Sequence, residues 1–313
     1  MTRYIASRLL LAVPIFLGVV TIVFVVVRIL PGDPAQVALG DYASRDAVAA
    51  LRQRLGLDRP IPFQYGSYLA GLVRGDLGTS LITGAPVRDE IAHNLPYTLQ
   101  LTVLAMIVGA LIGVPVGVVN ALTRNRLPDS IGRVLSLLGL SVPAYYLGIL
   151  LILLFAIELR ALPAVGAGDL TDLADSVRHL ILPAGTLGLV MAAAVARFTR
   201  STVLNTLGQD FVRTARAKGL REGLVVLRHA LPNALLPVIT ISGVLLGFVL
   251  GGSVAVEQAF GVPGLGRALV IAVIERDIIV VQNLVLLYAV IFVVVNVFVD
   301  LSYAWLDPRI RYG

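Results

Sequence analysis

The chain contains no cysteine, so neither a disulfide framework nor a thiolate metal site is available to it. It holds a single lysine, Lys218, and that lysine is followed by Gly219-Leu220. A P-loop needs lysine and then serine or threonine at the end of a glycine-rich turn. No Walker A site can form here, so the chain has no P-loop of its own to hydrolyse ATP. Histidine is scarce as well. His93, His179 and His229 fall at the ends of apolar runs and share no motif, and no metal site is expected. An intramembrane protease would need paired aspartates, a serine–histidine pair or a histidine-rich site at membrane depth, and none is visible. Charge is the scarcest property of all: 14% of 313 residues are charged, against about 25% in an average soluble domain. Hydrophobic residues make up 58% and mean hydropathy is +0.90, which places the chain in the membrane class.

Six stretches free of Asp, Glu, Lys and Arg are long enough to cross about 30 Å of hydrocarbon. They are Leu9–Val27, Ile91–Thr123, Val134–Ile157, His179–Ala196, His229–Val256 and Ile278–Val299. The fourth is the shortest. The second and fifth exceed one span and are expected to add an interfacial turn. The first run has a rival reading as a cleaved signal peptide, because Arg3 and Arg8 precede it. Its 19 residues exceed the usual apolar core of such signals and no small-x-small site follows, so a retained anchor is expected.

Arginine placement orients the spans. With the N-terminus inside, the cytoplasmic segments hold 14 basic residues, seven of them between Arg197 and Arg228, against only Asp129, Asp210, Glu222 and Asp307. The outer segments hold 11 basic and 14 acidic residues, and Asp300 ends the last span. The positive-inside rule puts both termini in the cytoplasm. The net charge of +6 is therefore a topology signal, and no nucleic-acid partner is expected.

Two connecting segments carry helix punctuation of their own. After the N-terminal anchor (1–30), the outer segment 31–90 is expected to fold into a small helical subdomain. Ser44 can cap a helix with Asp46 in its first turn, Val48, Leu51 and Leu55 share a face, and Gly56 is the stop. A second stretch begins around Pro62 with Phe63, Tyr68, Leu69 and Leu72. In the inner loop 199–232, Asp210 can cap a short helix over Phe211–Lys218 that Gly219 ends in the left-handed region. Ala215 and Ala217 leave that helix little bulk, so a partner's groove could close around it. A further helical stretch, Arg221–Ala230, is expected to end against Leu231-Pro232. Within the spans, Gln100, Asn120, Pro143 and Asn296 are candidates for a translocation pathway, with interhelical bonding as the plainer reading of the amides. Glu158 and Glu257 bound spans and read as interfacial charge. Gly109, Gly113 and Gly117, four residues apart, read as a face for close helix packing.

Arg213-Thr-Ala-Arg-Ala-Lys-Gly219, then nine residues to His229-Ala-Leu-Pro232, resembles the EAA loop of ABC importer permeases. Ala215, Gly219, Leu231 and Pro232 match its general pattern. Arg213, Thr214 and His229 depart from it in the manner of the dipeptide/oligopeptide/nickel branch. Leu30-Pro-Gly-Asp-Pro34, Gly56-Leu-Asp-Arg-Pro60, Arg74-Gly-Asp-Leu-Gly78, Ser141-Val-Pro143, Phe260-Gly-Val-Pro-Gly-Leu-Gly266 and Leu306-Asp-Pro-Arg309 extend the resemblance along nearly the whole chain.

The resemblance implies an all-α type I ABC importer permease in a bacterial or archaeal cytoplasmic membrane. It would have six transmembrane helices, five of them in a core over 91–313. The coupling loop would comprise Arg213, Thr214, Ala215, Arg216, Ala217, Lys218, Gly219, Leu231 and Pro232. Implied partners are a second homologous permease, forming a heterodimer, two ATPase subunits that hold ATP and Mg, an extracytoplasmic solute-binding protein and membrane lipid. The chain itself would be no enzyme and bind no cofactor. The branch points to dipeptides or oligopeptides as cargo, with glutathione, nickel chelates or another small solute as alternatives. A channel would carry a repeated charged ring or carbonyl filter, which the sequence lacks.

Overall fold

The computed structural model describes residues 2–29, 33–40, 43–169 and 171–306. Positions 30–32 of the Leu30–Pro34 motif and 307–309 of the closing motif lie outside the described residues, as do Arg311 and the side chains of Arg3, Arg8 and Asp300. Among the described residues the chain is helical, with one isolated antiparallel bridge, Thr79 to Pro86.

The first helix, α1 (Thr2–Ile29), leads to three short ones: α2 (Pro34–Leu39), α3 (Arg45–Arg54) and α4 (Ile61–Arg74). Ser44 caps α3 by accepting the Ala47 N–H, with Asp46 in the first turn, and Gly56 follows at φ +67°. Gly75, at φ +74°, ends α4. The end of α1 lies on α4: Phe24 packs edge-on to Tyr65 and stacks with Tyr68, and Arg28 Nε donates to Gln64 Oε1 at 3.1 Å.

Then come α5 (Val87–Leu122), α6 (Leu127–Ser141) and α7 (Ala144–Leu151), which widens into a π-helical segment, Ile152–Glu158. The long α8 (Leu173–Leu207) follows, then the short α9 (Asp210–Ala217) and α10 (Glu222–Leu224). A second π-helical segment, Val225–Ala230, carries α10 into α11 (Leu231–Phe260), and α12 (Leu265–Ile274) and α13 (Ile278–Leu306) close the chain.

Among the described residues four helical rods are long and apolar enough to cross a membrane, or five if the bent pair α6–α7 counts as one. The expected first span falls in α1, whose side chains are described only in part. The structure refines two of these readings and overturns a third. The third stretch is not one straight helix: α6 and the α7 segment meet at 103°. Pro143 is the cause, because it offers no N–H and pushes Val142 into the extended region, at φ −83° and ψ 126°. The fourth stretch, shortest by charge-free length, is the central helix. In its most apolar window 72% of residues are buried, against 28% for each of the other three rods. A helix enclosed by protein needs no lipophilic surface all round, so Arg197 and Arg200 can lie on it. Finally, Leu231-Pro232 ends nothing, because the chain runs from Glu222 to Phe260 as one rod. Pro232 has no N–H to return to the Arg228 carbonyl, and the turns before it widen to π pitch, with Leu231 N–H reaching Val226 O.

The glycine face on α5 meets α8. A Cβ at Gly109 would fall 2.4 Å from Met191 Cγ, at Gly113 2.7 Å from the Ala192 carbonyl, and at Gly117 2.6 Å from the Ala196 carbonyl. The two backbones therefore approach as closely as glycine alone allows, and Leu101, Ala105, Leu187 and Val195 fill the core around the crossing.

Candidate functional site

The loop between α8 and α11 folds back on its own rod. α9 turns Val212 and Ala215 inward, where they are buried with Val225 and Ala230 and packed by Leu207 and Leu220. Phe211 stays 44% exposed, and Arg213, Thr214, Ala217 and Lys218 face outward with it. The free face of α9 is thus one aromatic ring among cations. Of the two alanines, Ala217 lies on that face and Ala215 makes room for the chain's own helix.

The turn after α9 is closed by a left-handed glycine and an ion pair. Gly219 sits at φ +79° and donates its N–H to Arg216 O at 2.9 Å. Arg216 then grips Glu222 with both sides of its fork, at 3.0 Å from Nε and 2.5 Å from Nη2. Asp210 does not cap α9. Gln209 occupies the cap position without a side-chain bond, while Asp210 stands in the first turn, 3.4 Å from Arg213. There its charge still favours the helix N-terminus.

Near this loop a buried ion pair ties α6 to α8. Asp129, with no exposed surface, accepts from Arg200 Nε at 2.6 Å and Nη2 at 2.8 Å, and from the Asn125 N–H at 2.9 Å. Asn125 itself has φ +62°, so the turn between α5 and α6 is held in the left-handed region facing Asp129. Sequence reasoning counted Asp129 and Arg200 only as charges on one side of a membrane.

At the other end of α11, Glu257 is not interfacial but fully buried. Its carboxyl group accepts from Thr98 Oγ1 at 2.9 Å and from the N–H groups of Gly266 and Arg267 at 2.7 and 3.2 Å. Thr98 Oγ1 in turn accepts the Leu265 N–H at 2.8 Å. These are the free amides of the α12 N-terminus, satisfied by two side chains from other helices. The run Phe260–Gly266 makes the approach possible. Gly261 ends α11 at φ +63°, and a Cβ on Gly264 would fall 2.3 Å from the Glu257 carboxyl. The local signal was this glycine spacing, but its partner could not be read from it.

The four pathway candidates do not converge. Gln100 and Asn120 are 20 positions apart on the continuous helix α5, about 30 Å at helical rise. Asn120 is buried with its amide against Gly132 of α6, where a Cβ would fall 2.2 Å away. Pro143 makes the α6–α7 elbow, and Asn296 donates to Phe292 O on its own helix at 2.8 Å. An open groove of about 530 Å³ between α7, α11 and α12 is lined by Tyr145, Gly251 and Gln258, among others, and by none of the four.

Comparison with known proteins agrees with this architecture. Residues 113–312 match the family described as binding-protein-dependent transport system inner membrane component, and residues 1–102 match the corresponding N-terminal family. The glutathione transport system permease protein GsiC of Pectobacterium atrosepticum is 47% identical over 312 residues, covering 100% of both chains. Its counterpart in Escherichia coli strain K12 is 44% identical over the same extent. Among solved structures, a chain of the inward-facing MetNI methionine ABC transporter superposes with TM-score 0.57 at 22% identity, covering 70% of this chain and 96% of that one. A chain of an amino acid ABC transporter crystallised with histidines gives TM-score 0.55 at 17% identity, over 70% and 94%.

Proposed function

Because the chain belongs to the binding-protein-dependent transport system inner membrane components, as a type I ABC importer permease of the inner membrane, we propose that its cargo is glutathione or a closely related short peptide. One observation carries this reading: identity of 44 to 47% over the full length to permeases that bear the name of glutathione transport. Glutathione is itself a tripeptide, so the reading narrows the broader peptide class that the loop motif suggests.

In this reading α9 is the coupling helix, seated by Phe211 and its surrounding cations in a cleft of an ATPase subunit. Residues 213–219 with Leu231 and Pro232 form the coupling loop, both termini are cytoplasmic, and segment 31–90 faces outward beneath the binding protein. ATP and Mg reside on the two ATPase subunits. A second, homologous permease completes the pathway across the Tyr145–Gln258 groove, and ATP-driven closure of the ATPases rocks the two permeases between inward- and outward-facing states. The polar candidates Gln100, Asn120, Pro143 and Asn296 serve helix packing and the α6–α7 elbow more than cargo contact.

Uptake measured in proteoliposomes holding the assembled importer and its binding protein tests the cargo. Radiolabelled glutathione should accumulate with ATP, and unlabelled dipeptides should compete weakly. Strong uptake of dipeptides with none of glutathione would overturn the assignment.

A further inference from the structure

A cavity of about 420 Å³ opens between the end of α1, the α3–α4 pair and the first turns of α13. Three arginines are among its lining residues, Arg28, Arg54 and Arg59, against one residue with a carboxylate, Asp76. That carboxylate is already engaged, since its Oδ1 accepts the Gly78 N–H at 2.9 Å. Arg28 is held by Gln64 and lies over the Phe24 ring, and Arg59 lies 4.7 Å over Phe63. Arg54 forms neither an ion pair nor a side-chain hydrogen bond among the described residues.

The wall on α13 is the second observation. Gln282 and Asn283 are 7% and 5% exposed and both line the cavity. Among the described residues Gln282 Nε2 and Asn283 Oδ1 make no well-formed hydrogen bond; Gln282 faces Tyr68 Oη, which is likewise unpaired, and Asn283 Nδ2 donates to Leu77 O and Ile279 O. Buried polar atoms left unpaired are costly, and such groups ordinarily meet a partner. Here two buried amides with unpaired atoms and three arginines line one space.

We propose that this cavity binds a phosphate group, supplied by a phospholipid headgroup at the membrane surface. Arginine forks bind phosphate oxygens in pairs, Gln282 Nε2 supplies a neutral donor, and Asn283 Oδ1 accepts from a headgroup hydroxyl. The location suits a lipid. Arg28 stands in the last turn of the 28-residue α1 and Gln282 in the second turn of α13, where both helices reach the edge of the hydrocarbon. Leu55, Phe63 and Ile279 add apolar wall for the glycerol backbone and the first methylenes of the acyl chains. A lipid held there would fasten the α3–α4 pair to the membrane core through its headgroup.

The test uses the assembled importer in detergent, with phosphatidylglycerol retention read by native mass spectrometry and protection by glycerol 3-phosphate read by thermal unfolding. The wild type should retain phosphatidylglycerol, and R54Q/R59Q should bind it about tenfold more weakly or worse, since each charge-assisted contact is strong. Gln282→Met should weaken retention through loss of one donor, whereas R45Q, outside the cavity, should match the wild type. If glycerol 3-phosphate stabilises the wild type but not R54Q/R59Q while no lipid is retained, the phosphate site stands and a soluble anion fills it. Equal behaviour of wild type, R54Q/R59Q and R45Q towards both probes overturns the proposal.

Discussion

Gly219 offers a clean separation of backbone strain from packing. It lies at φ +79°, and a Cβ built on it meets no heavy atom within 4 Å. A substitution there is opposed by conformation alone. For an ordinary L-residue the left-handed region costs about 1–2 kcal/mol, a β-branched residue suffers most, and asparagine tolerates the region best. A penalty of that size shifts a two-state equilibrium by a factor of about 5 to 30. The Arg216–Glu222 pair across the turn is exposed, and such pairs contribute about 0.2–1 kcal/mol, too little to hold the turn closed against it. Once the turn opens, Leu220 leaves its contact with Val212, Ala215, Val225 and Ala230, and α9 loses its seat on the rod. Transport in proteoliposomes and co-purification of the ATPase subunits should therefore fall in the order Gly219→Asn, Gly219→Ala, Gly219→Val, while membrane insertion stays constant. Wild-type transport by Gly219→Val, or asparagine as damaging as valine, would refute the strain argument. Leu220→Ala is no mild control for this series, because it removes a packed side chain from the same cluster.

Four further outcomes are expected. Asp129→Ala leaves the Arg200 guanidinium and the Asn125 N–H without their partner, and breaking a buried pair costs about 3–5 kcal/mol; thermal unfolding in detergent should show the loss, with part of it recovered in the double variant D129A/R200M. Gly117→Ala drives a methyl against the Ala196 carbonyl and should cost about 1–3 kcal/mol, whereas Gly185→Ala, with open space around it, should leave the unfolding temperature unchanged. Glu257→Leu strands the amides of Gly266 and Arg267, at about 1–3 kcal/mol for each buried group; hydrogen exchange should rise at the α12 N-terminus, and an unchanged rate there would show that the carboxyl group is not its cap. Since the chain has no cysteine of its own, single cysteines at Ser67 and Asn205 should react with an impermeant reagent from opposite faces of the membrane, and labelling from one face would sink the proposed orientation.

Much of this molecule could be read from the chain alone, and the legible part is the local part. A charge-free apolar run of span length declares itself wherever it packs, because water is excluded from all of it. Ser44, Gly56 and Gly219 punctuate helices through bonds and dihedral angles spanning a few residues. The spacing of Gly109, Gly113 and Gly117 announced a close helix contact, although not that α8 would fill it. Tertiary structure decided what lies across the fold. Asp129 meets Arg200 at a separation of 71 residues, and Thr98 meets Glu257 at 159. A carboxylate at the edge of an apolar run looks the same in sequence whether it faces headgroups or the amides of α12. The centrality of α8, the elbow at Pro143 and the cavity before Gln282 were likewise hidden. They depend on which helix faces adjoin, and that is settled by side-chain packing between segments whose order along the chain carries no distance information.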